Sequence, residues 1–134
     1  DAVSFSCKED DAARRDFTIN ALFEDPCTGY IYDYVGGKQD LRDNIIRPVG
    51  AALDRFSEDA LRILRLARFA ARFNAAVSDD ALAAAKALAD TVTKVSAERI
   101  GDELSKILTG PNPEVAINIL RKTGVLAKIL PELV

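Results

Sequence analysis

The sequence predicts an α+β chain that is mostly α: a small β-containing portion through about Gly50, then helices to the end. Three observations carry that expectation. Two β-leaning runs, Ala21-Leu22-Phe23 and Tyr30-Ile31-Tyr32, flank the turn-rich stretch Asp25-Pro26-Cys27-Thr28-Gly29, the pattern of a β-hairpin. After Gly50 Ala and Leu dominate and strand signals fade. From Glu58 to Phe73 apolar residues recur at helical spacing around most of the wheel.

Residues 1–11 read as an edge strand or tail, in which Val3 and Phe5 alternate with polar residues ahead of Glu9, Asp10 and Asp11. From Arg14 to about Leu22 the pattern favours a short helix with acids ahead of its start. The hairpin follows, and Gly36-Gly37 ends its second strand. Asp40 to Asn44 is a short helical stretch, and residues 45–50 read as extended. Helices are expected near 51–54, 57–73, 79–90, 96–109, 112–123 and 124–130. Ser57, Ser78 or Asp79, and Ser96 are plausible N-caps, and Gly110-Pro111 and Gly124 separate the last helices.

Composition narrows the chemistry. The chain has 134 residues, enough for one domain or parts of two. It is 49% hydrophobic and 29% charged, an ordinary globular balance. With no His, it has no imidazole base, no Ser-His triad and no His metal site. Cys7 and Cys27 make neither a zinc knuckle nor a disulfide framework, so a reducing, cytoplasmic setting is expected. No apolar run approaches the roughly 20 residues of a membrane span. The net charge of −3 argues mildly against RNA binding by this chain alone, yet no acid stands between Ala60 and Ser78, where Arg62, Arg65, Arg68 and Arg72 cluster. The chain lacks Met and opens on Asp, so it reads as a piece of something longer.

The stretch 58–73 carries the most information. Rotated about 100° per residue, it gathers Glu58, Arg65, Arg68 and Arg72 on one side with Leu61, and the rest is nearly all apolar. Two charges break that apolar sector: Asp59 falls between Leu66 and Ala70, and Arg62 between Phe69 and Phe73. Burying both unpaired would cost several kcal/mol. Either they form an internal salt bridge, with Asp59 favoured by the helix dipole, or they belong to a ligand site with apolar walls. A carboxylate acceptor beside a guanidinium donor complements an amino group beside a ring nitrogen. Cytosine and adenine offer that pattern; uracil and guanine present the reverse. Such a site would accept C and A, because a wrong base leaves buried groups unpaired.

Four segments in order carry a resemblance. They are Arg14-Arg15-Asp16-Phe17-Thr18-Ile19-Asn20-Ala21-Leu22; Asp33-Tyr34-Val35-Gly36-Gly37 with Asp40-Leu41 and Ile46-Arg47; Arg55-Phe56-Ser57-Glu58-Asp59-Ala60-Leu61-Arg62-Ile63-Leu64-Arg65; and Ser96-Ala97-Glu98-Arg99-Ile100 with Glu103-Leu104. Together the chain resembles the class II tRNA nucleotidyltransferases (CCA-adding enzymes) and the related bacterial poly(A) polymerases. The resemblance implies template-independent addition of C and A to tRNA 3′ ends from CTP and ATP. It implies that Asp59 and Arg62 select the incoming base, that Arg14, Arg15 and Asp16 contact sugar and phosphates, and that Asn20 supports the same site. Glu58, Arg65, Glu98 and Arg99 are supporting residues, the last two bracing the selecting helix. Arg65, Arg68 and Arg72 are expected to form a solvated face that meets tRNA phosphates in the parent. Gly36-Gly37 is taken as a turn or hinge, and Asp10-Asp11 and Asp79-Asp80 as helix-start acids rather than metal ligands.

The same resemblance divides the chain into part of a nucleotidyltransferase head over 1–50, a helical neck over 51–110 and the start of a helical body over 111–134. It also implies Mg2+ in the parent, held by an Asp-x-Asp strand. No Asp-x-Asp occurs in this sequence, so the chain alone is expected to bind no catalytic metal and to be inactive. A cut head would expose apolar surface around Phe5, Phe17 and Phe23, which makes self-association plausible. The alternatives are a poly(A) polymerase that favours ATP, and a non-catalytic helical interaction module.

Overall fold

The structure, a computed structural model, describes residues 16–20, 22–24 and 26–130. Arg14, Arg15, Phe5, the edge strand or tail over 1–11 and the acids Asp10-Asp11 lie outside the described residues, as do the side chains of Asn20 and Phe23.

The predicted hairpin is present. Strands β1 (Leu22–Glu24) and β2 (Ile31–Asp33) pair antiparallel, with Leu22 opposite Asp33 and Glu24 opposite Ile31. The helix expected from Arg14 to Leu22 is not formed over its described part. Only a 3-10 turn, Thr18–Asn20, is helical. Ahead of it Phe17 makes an antiparallel bridge with Pro48. Thr18 N donates to the Arg47 carbonyl at 2.9 Å, and Val49 N donates to the Asp16 carbonyl at 3.1 Å. Pairing with residues 47–49 satisfies the backbone as a helix would, and it also buries Phe17 completely, edge-on to Phe69 with ring centroids 5.1 Å apart. Phe17 is therefore core, not the exposed apolar surface expected of it.

Helix α1 (Gly37–Asp43) starts three residues earlier than the pattern suggests. The Asp33 carboxylate supplies the reason. Its Oδ1 accepts from the N–H groups of Val35, Gly36 and Gly37, at 3.2, 2.8 and 2.9 Å, and its Oδ2 from Lys38 at 3.1 Å. Gly36 has φ of 84°, a conformation that favours glycine. Gly37 packs so closely on the Thr18 carbonyl that a Cβ there would overlap it. Beneath, Asp40 is buried and accepts from Thr18 Oγ1 at 2.6 Å and from Arg47 Nε at 3.2 Å.

Strand β3 (Ile45–Ile46) pairs parallel with β4 (Ala76–Val77), Ile45 opposite Ala76. β4 lies in the region read as purely helical; two residues are too few for a strand period to show. Between the two strands lie α2 (Ala52–Glu58) and α3 (Leu61–Phe73). The continuous helix expected over 57–73 is therefore broken. Asp59 is extended, with φ −154° and ψ 105°. Its Oδ1 accepts from Leu61 N at 3.1 Å, and its carbonyl from Arg62 N at 3.1 Å. α2 packs on α4 (Asp79–Ala87), whereas α3 packs on α5 (Ala97–Thr109) and α6 (Pro113–Thr123). A straight helix could not bury both apolar faces. Ser57 is consequently inside α2, its Oγ donating to the Leu53 carbonyl at 2.7 Å, and is not an N-cap.

α4 is shorter than expected and gives way to a 3-10 segment, Ala89–Lys94. Ser78 occupies the N-cap position of α4 without a side-chain capping bond. Ser96 caps α5 as read from the sequence, its Oγ accepting from Arg99 N at 3.3 Å. α6 opens on Pro113, and α7 (Val125–Ile129) follows Gly124, whose φ is 85°.

α3 is the centre of the molecule. Its Ile63, Leu64, Leu66, Ala67 and Ala70 are fully buried. One apolar cluster joins them to Phe17 and Ile46 near the N-terminus and to Leu120 and Val125 near the C-terminus. Each buried Leu or Ile contributes about 2 kcal/mol by removal from water, so the register of α3 is firmly set. Its polar side is what α3 presents to the site. No helix among the described residues is long and apolar enough to cross a membrane.

Candidate functional site

Three segments converge on the N-terminal half of α3. The bridge at Phe17 places Asp16 beside it, the α2–α3 break presents Asp59, and α5 runs along its polar face.

Arg62 projects from the first turn of α3. Its Nε lies 3.2 Å from Asp16 Oδ1. Its Nη1 donates to Glu58 Oε2 at 2.6 Å and to the Arg55 carbonyl at 2.9 Å. Asp59, three residues earlier, turns to α5 instead: Arg99 Nη2 donates to its Oδ2 at 2.8 Å. Asp59 and Arg62 do not pair with each other, so the internal salt bridge between them is replaced by two separate pairings. Because Asp59 precedes α3, its place on the wheel between Leu66 and Ala70 is also lost. Both side chains remain partly open, 26% exposed for Asp59 and 19% for Arg62.

Electrostatics favour the ionised form of Asp59 and Glu58. Burial raises the Asp59 pKa, but the Arg99 hydrogen bond, the Leu61 N–H and the charges of Arg99 and Arg62 outweigh it and hold it below the ordinary value. The Glu58 carboxyl is lowered by its hydrogen bond from Arg62 and the nearby charge of Arg55.

One turn along α3, Arg65 joins Asp16 to α5. Its Nη1 lies 3.4 Å from Asp16 Oδ2 and its Nε 3.3 Å from Glu103 Oε1. Arg68 Nε is 2.7 Å from Glu103 Oε2. The Glu103 side chain is only 3% exposed. Arg65 and Arg68 are thus held by a buried carboxylate and are not a solvated face; Arg72 remains exposed. Glu98 is exposed in the first turn of α5 and pairs with none of the described residues.

Two residues of this constellation were absent from the expected site. Glu103 could have been found, since it sits between Ile100, Leu104 and Ile107 on the apolar side of α5, where a lone acid calls for cations opposite. Arg55 could not, because its carbonyl reaches Arg62 only through the break at Asp59. The arrangement offers the Asp59 carboxylate at the start of α3 and, in its first turn, a partly exposed Arg62 guanidinium backed by Asp16. Among the described residues no group of three or more acidic or Cys side chains stands together as a metal site.

Comparison with known proteins identifies the relatives of this chain. Residues 2–47 match the model of the poly A polymerase head domain, and residues 76–134 match the model described as "Probable RNA and SrmB- binding site of polymerase A". The multifunctional CCA protein of Ectopseudomonas mendocina is 43% identical over 92% of this chain and 30% of its own length. The chain belongs to the tRNA nucleotidyltransferase and poly(A) polymerase family. Solved structures of that family superpose closely. The Bacillus stearothermophilus CCA-adding enzyme in complex with CTP has a TM-score of 0.86 and 40% identity, over 91% of this chain and 31% of that one. A tRNA nucleotidyltransferase complexed with a primer tRNA and an incoming ATP analogue has a TM-score of 0.82 and 32% identity, over 92% of this chain and 37% of that one. The chain thus spans about 30% of the length of the curated family member it matches.

Proposed function

We propose that this chain carries the base-selecting part of a tRNA nucleotidyltransferase, which adds C and A to tRNA 3′ ends from CTP and ATP. The observation that carries the reading is the pairing of Arg62 with Asp16 at 3.2 Å. It joins the segment assigned to the sugar and phosphates with the segment assigned to the base. In this reading Asp59, oriented by Arg99, accepts from the amino group of cytosine or adenine. Arg62 donates to the adjacent ring nitrogen. U and G present a donor to Arg62 and an acceptor to Asp59, and both mismatches leave polar groups unpaired. Asp16 accepts from a ribose hydroxyl, and Arg14 and Arg15 pair with phosphate oxygens. Asn20, Glu58, Arg65 and Glu98 have supporting roles. The CTP complex of one family member and the primer-tRNA complex of another support the choice of nucleotide and RNA partner.

The division into head over 1–50, neck over 51–110 and start of body over 111–134 is part of the same reading, as is a cytoplasmic setting. Nucleotidyl transfer in this family uses a divalent metal ion, which we take to be Mg2+. The described residues do not fit it, and none of the roles above is routed through it. The sequence has no Asp-x-Asp, so the chain alone is expected to bind nucleotide without incorporating it.

NMR titration with CTP, ATP, UTP and GTP, repeated on Asp59→Ala, tests the reading. Shifts with CTP and ATP that the variant loses support it. Equal response to all four returns Asp59 and Arg62 to structural ion pairs. Response to ATP alone favours a poly(A) polymerase, and response to none favours an interaction module.

A further inference from the structure

Asp16 has a fixed backbone and a side chain whose direction is set from a distance. It precedes Phe17, which is completely buried, and its carbonyl accepts from Val49 N at 3.1 Å. Only its side-chain torsions remain free. Two arginines of α3 face its carboxylate. Arg62 Nε lies 3.2 Å from Oδ1 but makes no hydrogen bond there. The Arg62 guanidinium is held instead by Glu58 and the Arg55 carbonyl, through Nη1. Arg65 Nη1 does hydrogen-bond Oδ2, at 3.4 Å. Among the described residues this is the one side-chain hydrogen bond that the Asp16 carboxylate accepts.

Arg65 is itself held from behind. Its Nε donates to Glu103 Oε1 at 3.3 Å, and the Glu103 side chain is 3% exposed. Its neighbours Leu64 and Leu66 are fully buried, so α3 has no freedom to turn and release the bridge. The guanidinium thus spans two carboxylates through two different nitrogens, one carboxylate buried and one open to the site. The plain explanation is an ion bridge that ties three segments together. Two facts speak against that as its whole role. Asp16 is 26% exposed and Arg65 32%, and an ion pair so open contributes little to stability. Glu103 also has Arg68 Nε at 2.7 Å, so its charge is met without Arg65. What Arg65 adds is a fixed direction for the Asp16 carboxylate.

We infer that Arg65, anchored by Glu103, is a positioning residue for sugar recognition: it aims the Asp16 carboxylate at a ribose hydroxyl of the incoming nucleotide. The inference rests on the reading of Asp16 as the sugar contact and of Asp59 and Arg62 as the base readers. It adds that the two selections have separate supports. Base reading is braced by Arg99 on Asp59 and by Glu58 on Arg62. Sugar reading is braced by Arg65 and Glu103. Acceptance of a hydroxyl proton depends on the direction of the acceptor. A carboxylate left to rotate therefore loses its distinction between ribose and deoxyribose before it loses the base. Lysine does not replace Arg65, because an ammonium is a point charge on a flexible stem, whereas a planar guanidinium holds two partners in fixed relation.

The test uses the chain as it is, with Arg65→Lys as the variant that keeps the charge and removes the bridge. NMR titration with CTP, 2′-deoxy-CTP, 3′-deoxy-CTP and UTP gives two ratios of affinity, ribose over deoxyribose and C over U. In Arg65→Lys the sugar ratio is expected to fall about fivefold, the worth of one hydrogen bond, with the base ratio unchanged. Glu103→Gln loosens Arg65 from its buried end and is expected to lower the sugar ratio by less. Arg68→Lys disturbs Glu103 without touching Asp16, and both ratios are expected to stay as they were. A sugar ratio retained in Arg65→Lys would overturn the inference and leave Asp16 as the sugar contact. Parallel loss of both ratios would make Arg65 a general brace of the site and equally overturn it. If Arg65→Lys does not fold, an unchanged sugar ratio in Glu103→Gln overturns the inference by itself. Base preference without sugar preference in the unsubstituted chain would take Asp16 off the sugar and end the inference, with the base-selecting reading intact. Absence of both preferences there would sink the two together.

Discussion

Arg99 on α5 donates to Asp59 at 2.8 Å across 40 residues of chain. That bond, together with the one its Oδ1 accepts from Leu61 N at 3.1 Å, fixes the orientation of a carboxylate on an extended residue between two helices. Arg99→Ala is expected to let the Asp59 pKa climb towards its ordinary value, read from side-chain carboxyl shifts in a pH titration. Arg99 is 48% exposed, so the pair stabilises the fold by about 1 kcal/mol or less. The larger effect is expected on nucleotide choice: CTP and ATP should lose their advantage over UTP and GTP while the melting temperature barely moves.

Glu103 behaves differently, because it is buried. Glu103→Ala removes the shared partner of Arg65 and Arg68, leaving the partly buried Arg68 guanidinium uncompensated and Arg65 with Asp16 alone. A loss of about 3 kcal/mol is expected, measured as a lower urea midpoint. Glu103→Gln keeps the shape and part of the hydrogen bonding, so its loss should be smaller. Equal stability of all three proteins would mean that the network carries no net stabilisation.

Gly37→Ala probes the close approach of α1 to the Thr18 carbonyl. The added Cβ would overlap backbone rather than a side chain that can swing away. Overpacking of this kind costs about 1–3 kcal/mol, expected as a drop in melting temperature. Gly29, whose surroundings leave open space, serves as the comparison position: its φ of 73° alone should make Gly29→Ala unfavourable, but by less.

Acid sensitivity follows from the carboxylates held below their ordinary values. At Asp33 burial raises the pKa, and hydrogen bonds from the N–H groups of Lys38, Gly37, Val35 and Gly36 outweigh it. Asp59 is lowered by Arg99 and its neighbours. A folded pKa below the unfolded value of about 3.9 gives stability that is fully present above that value. It is lost as pH falls through the folded value. Urea midpoints should therefore be flat from neutral pH down to about pH 5 and fall below it. In Asp33→Asn the acid-side fall should be shallower.

Much of this was readable in one dimension. The hairpin followed from two β-leaning runs around a Gly- and Pro-containing loop. The helices after Ser78 followed from Ala- and Leu-rich periodicity, and the Ser96 cap from its side chain and position. The four motifs, read together, named the family. These signals are local: each rests on residues close in the chain, whose spacing survives whatever the rest of the molecule does. The signals failed where distant segments competed. Phe17 looked like part of a helix, but pairing with residues 47–49 buried its ring against Phe69. The stretch 57–73 looked like one helix, yet its two halves pack on different partners and it breaks at Asp59.

The sequence by itself determined which residue types stand ready: an acid and an arginine three apart, a run of arginines without acids, a lone glutamate on an apolar helix face. Tertiary structure alone decided who pairs with whom. Asp59 went to Arg99, Arg62 to Asp16, and Arg65 and Arg68 to Glu103. Charged side chains are long, and several partners satisfy them almost equally well in isolation. The choice among partners is made by burial of the apolar faces, which sets helix positions first and leaves each charge only the counter-charges within its reach.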